Sequence, residues 1–351
     1  MGDSKDVNEL MAGSSSAAAL APLIQLRRIM PEDQRHRDTR PRWIIQELMR
    51  EGAVMTVCGL PGSFKSWVIL DAAICTANGL GSFLGQPIRN GPVLYIAADD
   101  GADMVIDRLR MVAQFRLGST HYDLIDVVDR GELNFSDTST SGLPGAAYLL
   151  SNTIVSMYED YGQYPAIVVV DTAAMAGAPT DDFGHSYPAR LGWLKRLAAE
   201  CHCCMVLIEH VSRHGDESVD VRSRAWGSIQ KAGYYEAVWA MDKQGGLVSL
   251  DASDKRSAKL FELYLRFSEE EGVYTMEYSE EKYNVVKEGI YTLLASEVLD
   301  VATVADRLAL EYQTTRRKVS ELVEEGRIVV VEKASGRRPA KYGLDSTVLL
   351  T

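Results

Sequence analysis

One eight-residue run constrains this chain more than any other. Gly59-Leu60-Pro61-Gly62-Ser63-Phe64-Lys65-Ser66 follows the apolar run Ala53–Cys58 and opens a helical pattern from about Lys65 to Asn78. A buried strand, a glycine-bearing turn and a helix, in that order, form the setting of a GxxxxGK[ST] phosphate loop. Phe64 stands where that pattern has its last glycine, so its side chain must stay out of the turn. The backbone N–H groups of Gly62 to Ser66 then wrap a β-phosphate, and the helix N-terminus adds partial positive charge. Lys65 reaches the β- and γ-phosphates, and the Ser66 hydroxyl ligates Mg²⁺. The expected ATP contacts are Gly59, Pro61, Gly62, Ser63, Phe64, Lys65, Ser66 and Trp67.

A phosphate loop needs a carboxylate from a second strand. Ile167-Val168-Val169-Val170-Asp171 supplies it, with Asp171 holding Mg²⁺ beside Ser66. The attacking water needs a base within hydrogen-bond reach. Leu94-Tyr95-Ile96-Ala97-Ala98 ends in Asp99 and Asp100. Asp99 is the first candidate base and Asp100 the second; either is alternatively the N-cap of the helix from Ala102. The strand from Met205 ends in Glu209-His210, and His210 is the candidate γ-phosphate sensor or else a hydrogen-bonded strand-end histidine.

The remaining periodicities place these motifs in one α/β core. Trp43 to Met49 predicts a short amphipathic helix. Strands are expected at Val93–Ala97, Tyr122–Val128, Ile167–Val170 and Cys204–Ile208, with helices at Ala102–Phe115, Ala146–Tyr161 and Pro188–Cys201. That alternation requires crossovers and a mainly parallel sheet. Val238–Met241, Gly246–Asp251, Leu260–Phe267 and Val273–Tyr278 follow closely and read as an antiparallel extension. Residues 1–40 read as a flexible arm, 41–280 as the core and 284–346 as a separate unit. In that last unit Lys287–Ser296, Val301–Leu310 and Thr314–Glu325 are three helices, followed by Arg327–Lys333 and Lys341–Leu344 around a Gly-Arg-Arg-Pro turn. Three helices and a hairpin make the winged helix-turn-helix pattern.

Charge bears on partners. Lys and Arg total 37 against 49 Asp and Glu, a net −12. Such a surface excludes a protein that coats nucleic acid all over. Residues 284–351 hold ten cations and ten anions, so the whole −12 lies on residues 1–283. Within 313–341 there are eight cations against four anions. Arg316, Arg317 and Lys318 open the third helix, where a helix-turn-helix enters the major groove, and Arg337 and Arg338 sit on the wing. The alternative is a winged helix that docks protein. Five cysteines, three of them in Cys201-His202-Cys203-Cys204, lack a second ligand pair and read as buried free thiols. No apolar run reaches the ~18 residues of a membrane span, and the N-terminus has no secretory signal pattern. A cytoplasmic protein is expected.

Together these segments resemble the RecA-like ATPases of the AAA family related to plasmid RepA hexameric helicases, and more distantly DnaB-type replicative helicases. The resemblance spans about Pro41 to Tyr278. It is carried by Trp43-Ile44-Ile45, the loop Gly59–Ser66, Tyr95–Gly101 with Arg108-Leu109, Val170-Asp171-Thr172, Leu207–His210, Trp226–Ile229 and Ala237–Trp239. It implies a hexameric ring with ATP between subunits, and helicase or single-strand translocase activity in phage or plasmid replication. Alternatives on the same core are a loader or regulator of a helicase or recombinase, and a nucleotide-controlled DNA-binding regulator. It also implies a cation supplied by a neighbouring subunit, for which Lys255 and Arg256 stand in a position that resembles the DnaB-type pair at a spacing one residue different, with Arg213 and Arg224 as alternatives. Arg213, Arg222 and Arg224 lie on a loop expected to face the channel, there to follow a DNA strand or to contact a neighbour.

Overall fold

The computed structural model of the chain describes residues 38–129, 133, 145–175, 186–211, 235–244, 247–257, 260–270, 272–280, 282–308, 310–335 and 338–344. The arm to residue 37, the polar loop Ser136–Gly142, and Arg213, Arg222, Arg224 and Arg337 lie outside them.

The first element corrects an expectation. Trp43–Met49 is a hairpin, β1 (Trp43–Ile45) and β2 (Met49–Arg50), and not a helix. Ile44, Ile45, Leu48 and Met49 are all buried, at the spacing that mimics one face of a helix. The chain turns through Glu47 in the left-handed region (φ 59). Gln46 N–H donates to the Pro87 carbonyl (2.9 Å), and Arg89 N–H to that of Ile44 (2.7 Å). These bonds to a neighbouring segment override the helical spacing.

β3 (Val54–Gly59) leads through the glycine-bearing turn into α1 (Lys65–Ala77). A short hairpin, β4 (Ser82–Phe83) and β5 (Gln86–Pro87), precedes β6 (Val93–Ala97), α2 (Ala102–Leu117) and β7 (Ile125–Asp129). Then come α3 (Gly145–Tyr161), β8 (Ile167–Asp171), α4 (Ser186–Cys201) and β9 (Cys204–His210). β10 (Ala237–Gln244), β11 (Leu247–Asp254), β12 (Leu260–Glu270) and β13 (Val273–Ser279) complete the sheet. Its order among the described residues is β13-β12-β11-β10-β3-β9-β8-β6-β7. β10, β3, β9, β8, β6 and β7 pair in parallel, and β10 through β13 pair antiparallel. The antiparallel extension therefore joins the core through β10.

Alternation along the strands assigns side chains to two faces. Met55 and Val57, Tyr95 and Ala97, Ile167 and Val169, and Val206 and Ile208 point to the α1/α2 layer. Val54 and Cys58, Leu94 and Ile96, Val168 and Val170, and Met205 and Leu207 point to the α3/α4 layer. The central strands are buried on both faces, as parallel strands are. All five cysteines are buried free thiols, and burial pushes the Cys204 thiol up to about 12.

After Ser279 come α5 (Lys282–Ser296), β14 (Leu299–Asp300), α6 (Val301–Arg307), α7 (Tyr312–Glu324), β15 (Val329–Glu332) and β16 (Lys341–Gly343). The three strands pair in the order β14-β16-β15. Ile290, Leu294, Val304, Val319, Leu322 and Ile328 form their own core. Leu247 and Tyr264 join it from the extension's outer face, and Gly289 of α5 fits against the Arg266 guanidinium.

Candidate active site

Parallel strands end on one edge, and ligands bind in the crevice beyond those ends. The pairings of β3, β9, β8 and β6 put Gly59, His210, Asp171 and Ala97 at that edge. Residues far apart in sequence thus meet.

The backbone of Gly59 to Ser66 turns tightly between β3 and α1. A Cβ on Gly59 would lie 2.3 Å from the Met241 carbonyl and 2.6 Å from Ser63 Oγ, so only glycine fits there. Gly62 turns with φ +79. Pro61 and Gly62 are exposed, Ser63 and Lys65 buried. Lys65 Nζ spans the turn, donating to the carbonyls of Gly59 (3.0 Å) and Leu60 (2.9 Å) and to Ser63 Oγ (3.4 Å). Burial brings its pKa down to about 8, although the Asp171 charge pulls the other way.

Phe64 occupies the left-handed region (φ 63, ψ 21) that the last glycine of the pattern would take, at the cap of α1. Its ring leaves the turn and stacks on Phe267 of β12 at 4.4 Å and 5°. Lys243 of β10 lies 4.8 Å from the same ring. Trp67, in the first turn of the helix, stacks on Tyr274 at 4.5 Å, with Arg108 5.7 Å from its ring. The phenylalanine is accommodated because the extension offers it an aromatic partner.

Asp171 is buried, and burial raises its pKa, while hydrogen bonds from Ser66 and Tyr95 work against that rise. Tyr95 Oη donates to Asp171 Oδ2 at 2.5 Å, and the Ser66 hydroxyl lies close enough to act on the pKa of both groups. A hydroxyl and a carboxylate are hard oxygen donors suited to Mg²⁺, so Ser66 and Asp171 fit the expected cation. Tyr95 opens one of the segments that carry the resemblance, but its place within an apolar run gives its hydroxyl no role there.

Asp99 is exposed, and its Oδ2 lies 4.0 Å from His210 Nε2. Its N–H donates to the Asp171 carbonyl (3.0 Å), tying the two strand ends together. His210 follows Val206 and Ile208 onto the α1 face. Burial first, then the Lys65 charge, lowers its pKa. Glu209 goes to the opposite face, where it accepts from Tyr235 Oη (2.8 Å) and Thr56 Oγ1 (3.4 Å). Asp100 is turned outward, paired with Arg108 at 2.5 Å. Neither aspartate caps α2: Gly101 holds the cap position, and Asp129 of β7 accepts from Ala102 N–H at 2.8 Å.

The remaining candidates lie elsewhere. Lys255 N–H donates to the Glu236 carbonyl, and Glu236 N–H to that of Val54. Lys255 and Arg256 thus sit by the start of β3, about 16 Å along the strand from Gly59 at ~3.3 Å per residue. Arg316 and Arg317 are exposed on α7 and Arg338 is exposed before β16. Lys318 is not available as a DNA contact. It falls on the buried face with Thr315, Val319 and Leu322, and Nζ donates to Glu321 at 2.6 Å.

A family model described as an AAA domain, AAA_25, matches residues 21–216. Among solved structures, "The Structure Of A DnaB-Like Replicative Helicase And Its Interactions With Primase" is similar at TM-score 0.50 and 13% identity, covering 77% of this chain and 70% of that one. A solved ATPase domain is similar at TM-score 0.49 and 13% identity, covering 75% of this chain and 98% of that one. No curated protein matches. At such identity the likeness establishes the fold, that of RecA-like helicase ATPase domains.

Proposed function

The chain belongs to the AAA_25 family of AAA domains, and on that premise we propose that it is an ATP-dependent DNA helicase or single-strand DNA translocase of RepA-like type. The reading assigns it to phage or plasmid DNA replication or recombination. The observation that supports it most is the meeting of Lys65, Ser66, Asp171, Asp99 and His210 at one sheet edge. Lys65 leaves the Gly59 and Leu60 carbonyls for the β- and γ-phosphates. Loop N–H groups hold the β-phosphate, and Ser66 and Asp171 hold Mg²⁺, which when bound neutralises developing phosphate charge. Asp99 orients and deprotonates the attacking water. His210, 4.0 Å from Asp99, senses the γ-phosphate.

In this reading the protein is a cytoplasmic hexameric ring with nucleotide between subunits. Lys255 and Arg256, at the far edge from their own loop, serve a neighbour's nucleotide. The segment bearing Arg213, Arg222 and Arg224 faces single-stranded DNA in the channel. The elements after Ser279 form a winged helix, with Arg316, Arg317, Arg337 and Arg338 meeting duplex phosphates. Among the described residues no helix is long and apolar enough to cross a membrane.

A second reading draws on Asp99, whose side chain is shorter than the glutamate usual in the resembling family. A slow ATPase of this kind suits a helicase or recombinase loader, or a nucleotide-controlled regulator. Strand displacement on a forked duplex with ATP and Mg²⁺ tests the choice. Unwinding supports the helicase, and DNA-stimulated hydrolysis without unwinding supports the loader. ATP binding without turnover supports the regulator.

A further inference from the structure

We propose that Tyr95 is a positioning residue for the divalent-cation site, its hydroxyl holding the Asp171 carboxylate in the orientation that faces Ser66. The inference rests on the nucleotide reading above and deepens it. Three elements converge here: β6 brings Tyr95, β8 brings Asp171 and α1 brings Ser66. In the parallel register Tyr95 is level with Val169, one face step short of Asp171. The phenol therefore reaches forward along the sheet to donate to Oδ2 at 2.5 Å.

Packing alone does not explain the hydroxyl. Tyr95 is fully buried, and a phenylalanine would fill the same apolar space without a polar atom to satisfy. A buried hydroxyl is costly unless it is hydrogen-bonded, and here its partner is the carboxylate expected to hold the cation. The terminal torsion of an aspartate is broad and roughly two-fold. A fixed donor on one oxygen selects one setting and leaves the other oxygen for the cation side. Mg²⁺ demands near-ideal octahedral geometry, so that setting bears on affinity. Losing such an outer partner typically costs about 10–100-fold in metal affinity.

The test is Tyr95→Phe, read by binding of a fluorescent non-hydrolysable ATP analogue as Mg²⁺ is titrated. The Mg²⁺ midpoint is expected to rise about tenfold, with unchanged analogue affinity in chelator and unchanged circular dichroism. In an Asp171→Asn background the same substitution is expected to add nothing. A folded Tyr95→Phe protein with the wild-type midpoint overturns the proposal. Should the variant not fold, 3-fluorotyrosine placed at Tyr95 keeps the hydroxyl and reports by fluorine resonance. That resonance is expected to move when Mg²⁺ joins the bound analogue, and one insensitive to Mg²⁺ overturns the proposal. Wild-type protein that binds no nucleotide at all defeats the nucleotide reading as well. Wild-type protein with Mg²⁺-dependent binding beside an identical variant defeats this inference alone.

Discussion

Phe64→Gly restores the glycine of the phosphate-loop pattern, yet it is expected to destabilise the protein while leaving nucleotide binding intact. The substitution relieves a left-handed backbone, worth about 1–2 kcal/mol, but adds about 0.5–1 kcal/mol of glycine's conformational entropy. The relief exceeds that cost by about 0.5–1 kcal/mol. The ring then takes three things with it. Its parallel stack on Phe267 at 4.4 Å is worth about 0.5–1.5 kcal/mol. The Lys243 ammonium 4.8 Å from the ring adds about 0.5–1 kcal/mol. Half-burial of the ring is worth about 1–1.5 kcal/mol. The net loss is about 1–3 kcal/mol, a fall in Tm of roughly 1–5 °C for a chain of this size. Thermal unfolding followed by circular dichroism measures it. Paired with Phe267→Ala, a double-mutant cycle should return about 1 kcal/mol of coupling. Binding of a fluorescent ATP analogue should stay within a few-fold of wild type, because the backbone N–H groups remain. A more stable variant, zero coupling to Phe267, or lost binding would refute this reasoning.

Lys65→Ala removes two charge-assisted contacts to phosphate at about 1.5–3 kcal/mol each, so ATP affinity should fall at least ~100-fold in a binding titration. Burial holds the Lys65 ammonium at about 8, below its ordinary 10.5. Between those values the unfolded chain holds a proton the folded one lacks, so this group makes stability rise with pH there. Nucleotide affinity should instead fall as pH rises through about 8, and Lys65→Arg, cationic throughout, should flatten that profile. Arg316→Ala with Arg317→Ala should weaken duplex binding and reduce the log–log salt slope by about 1.8. Lys318→Ala should leave the slope unchanged and lower Tm, since its side chain is largely buried and bonds to Glu321. His210→Asn should keep ATP affinity within a few-fold and abolish DNA stimulation of hydrolysis, read by phosphate release.

The parts of the site that are legible in the sequence depend on backbone pattern. Strand, turn and helix around Lys65 are readable because phosphate binding is done by main-chain groups whose path demands glycine and a helix start. Asp171 and Asp99 are readable as acids ending apolar runs. Which sheet face each of two neighbouring polar residues takes is not. Val206–Ile208 is apolar on both faces, so no alternation shows that His210 goes to α1 while Glu209 goes to Thr56 and Tyr235. The same blindness hides Tyr95, whose hydroxyl is indistinguishable in sequence from one more buried ring. Trp43–Met49 misleads because apolar residues at helical spacing are buried by long-range pairing to Pro87 and Arg89. Lys318 misleads because a count of cations takes no notice of helix phase: at three residues from Thr315 and four from Leu322 it lies on the packed face.

The antiparallel extension gives the fold a physical link that charge and motif do not suggest. Consecutive residues of β12 point to opposite faces. Phe267 stacks on Phe64 of the phosphate loop. Its neighbour Arg266 lies against Gly289 of α5, and Tyr264 packs into the C-terminal core. One strand therefore touches both the loop of Phe64 and α5, which packs against the helix that carries Arg316 and Arg317. Both rings are half-buried and stacked at 4.4 Å, so a displacement of Phe64 toward β12 is taken up by rotation of Phe267 or passed along β12 to α5. Phe267→Ala opens the first route. It should leave ATP affinity and duplex affinity each within a few-fold of wild type while reducing the effect of ATP on duplex binding. Unchanged coupling in a folded Phe267→Ala protein would place the link elsewhere.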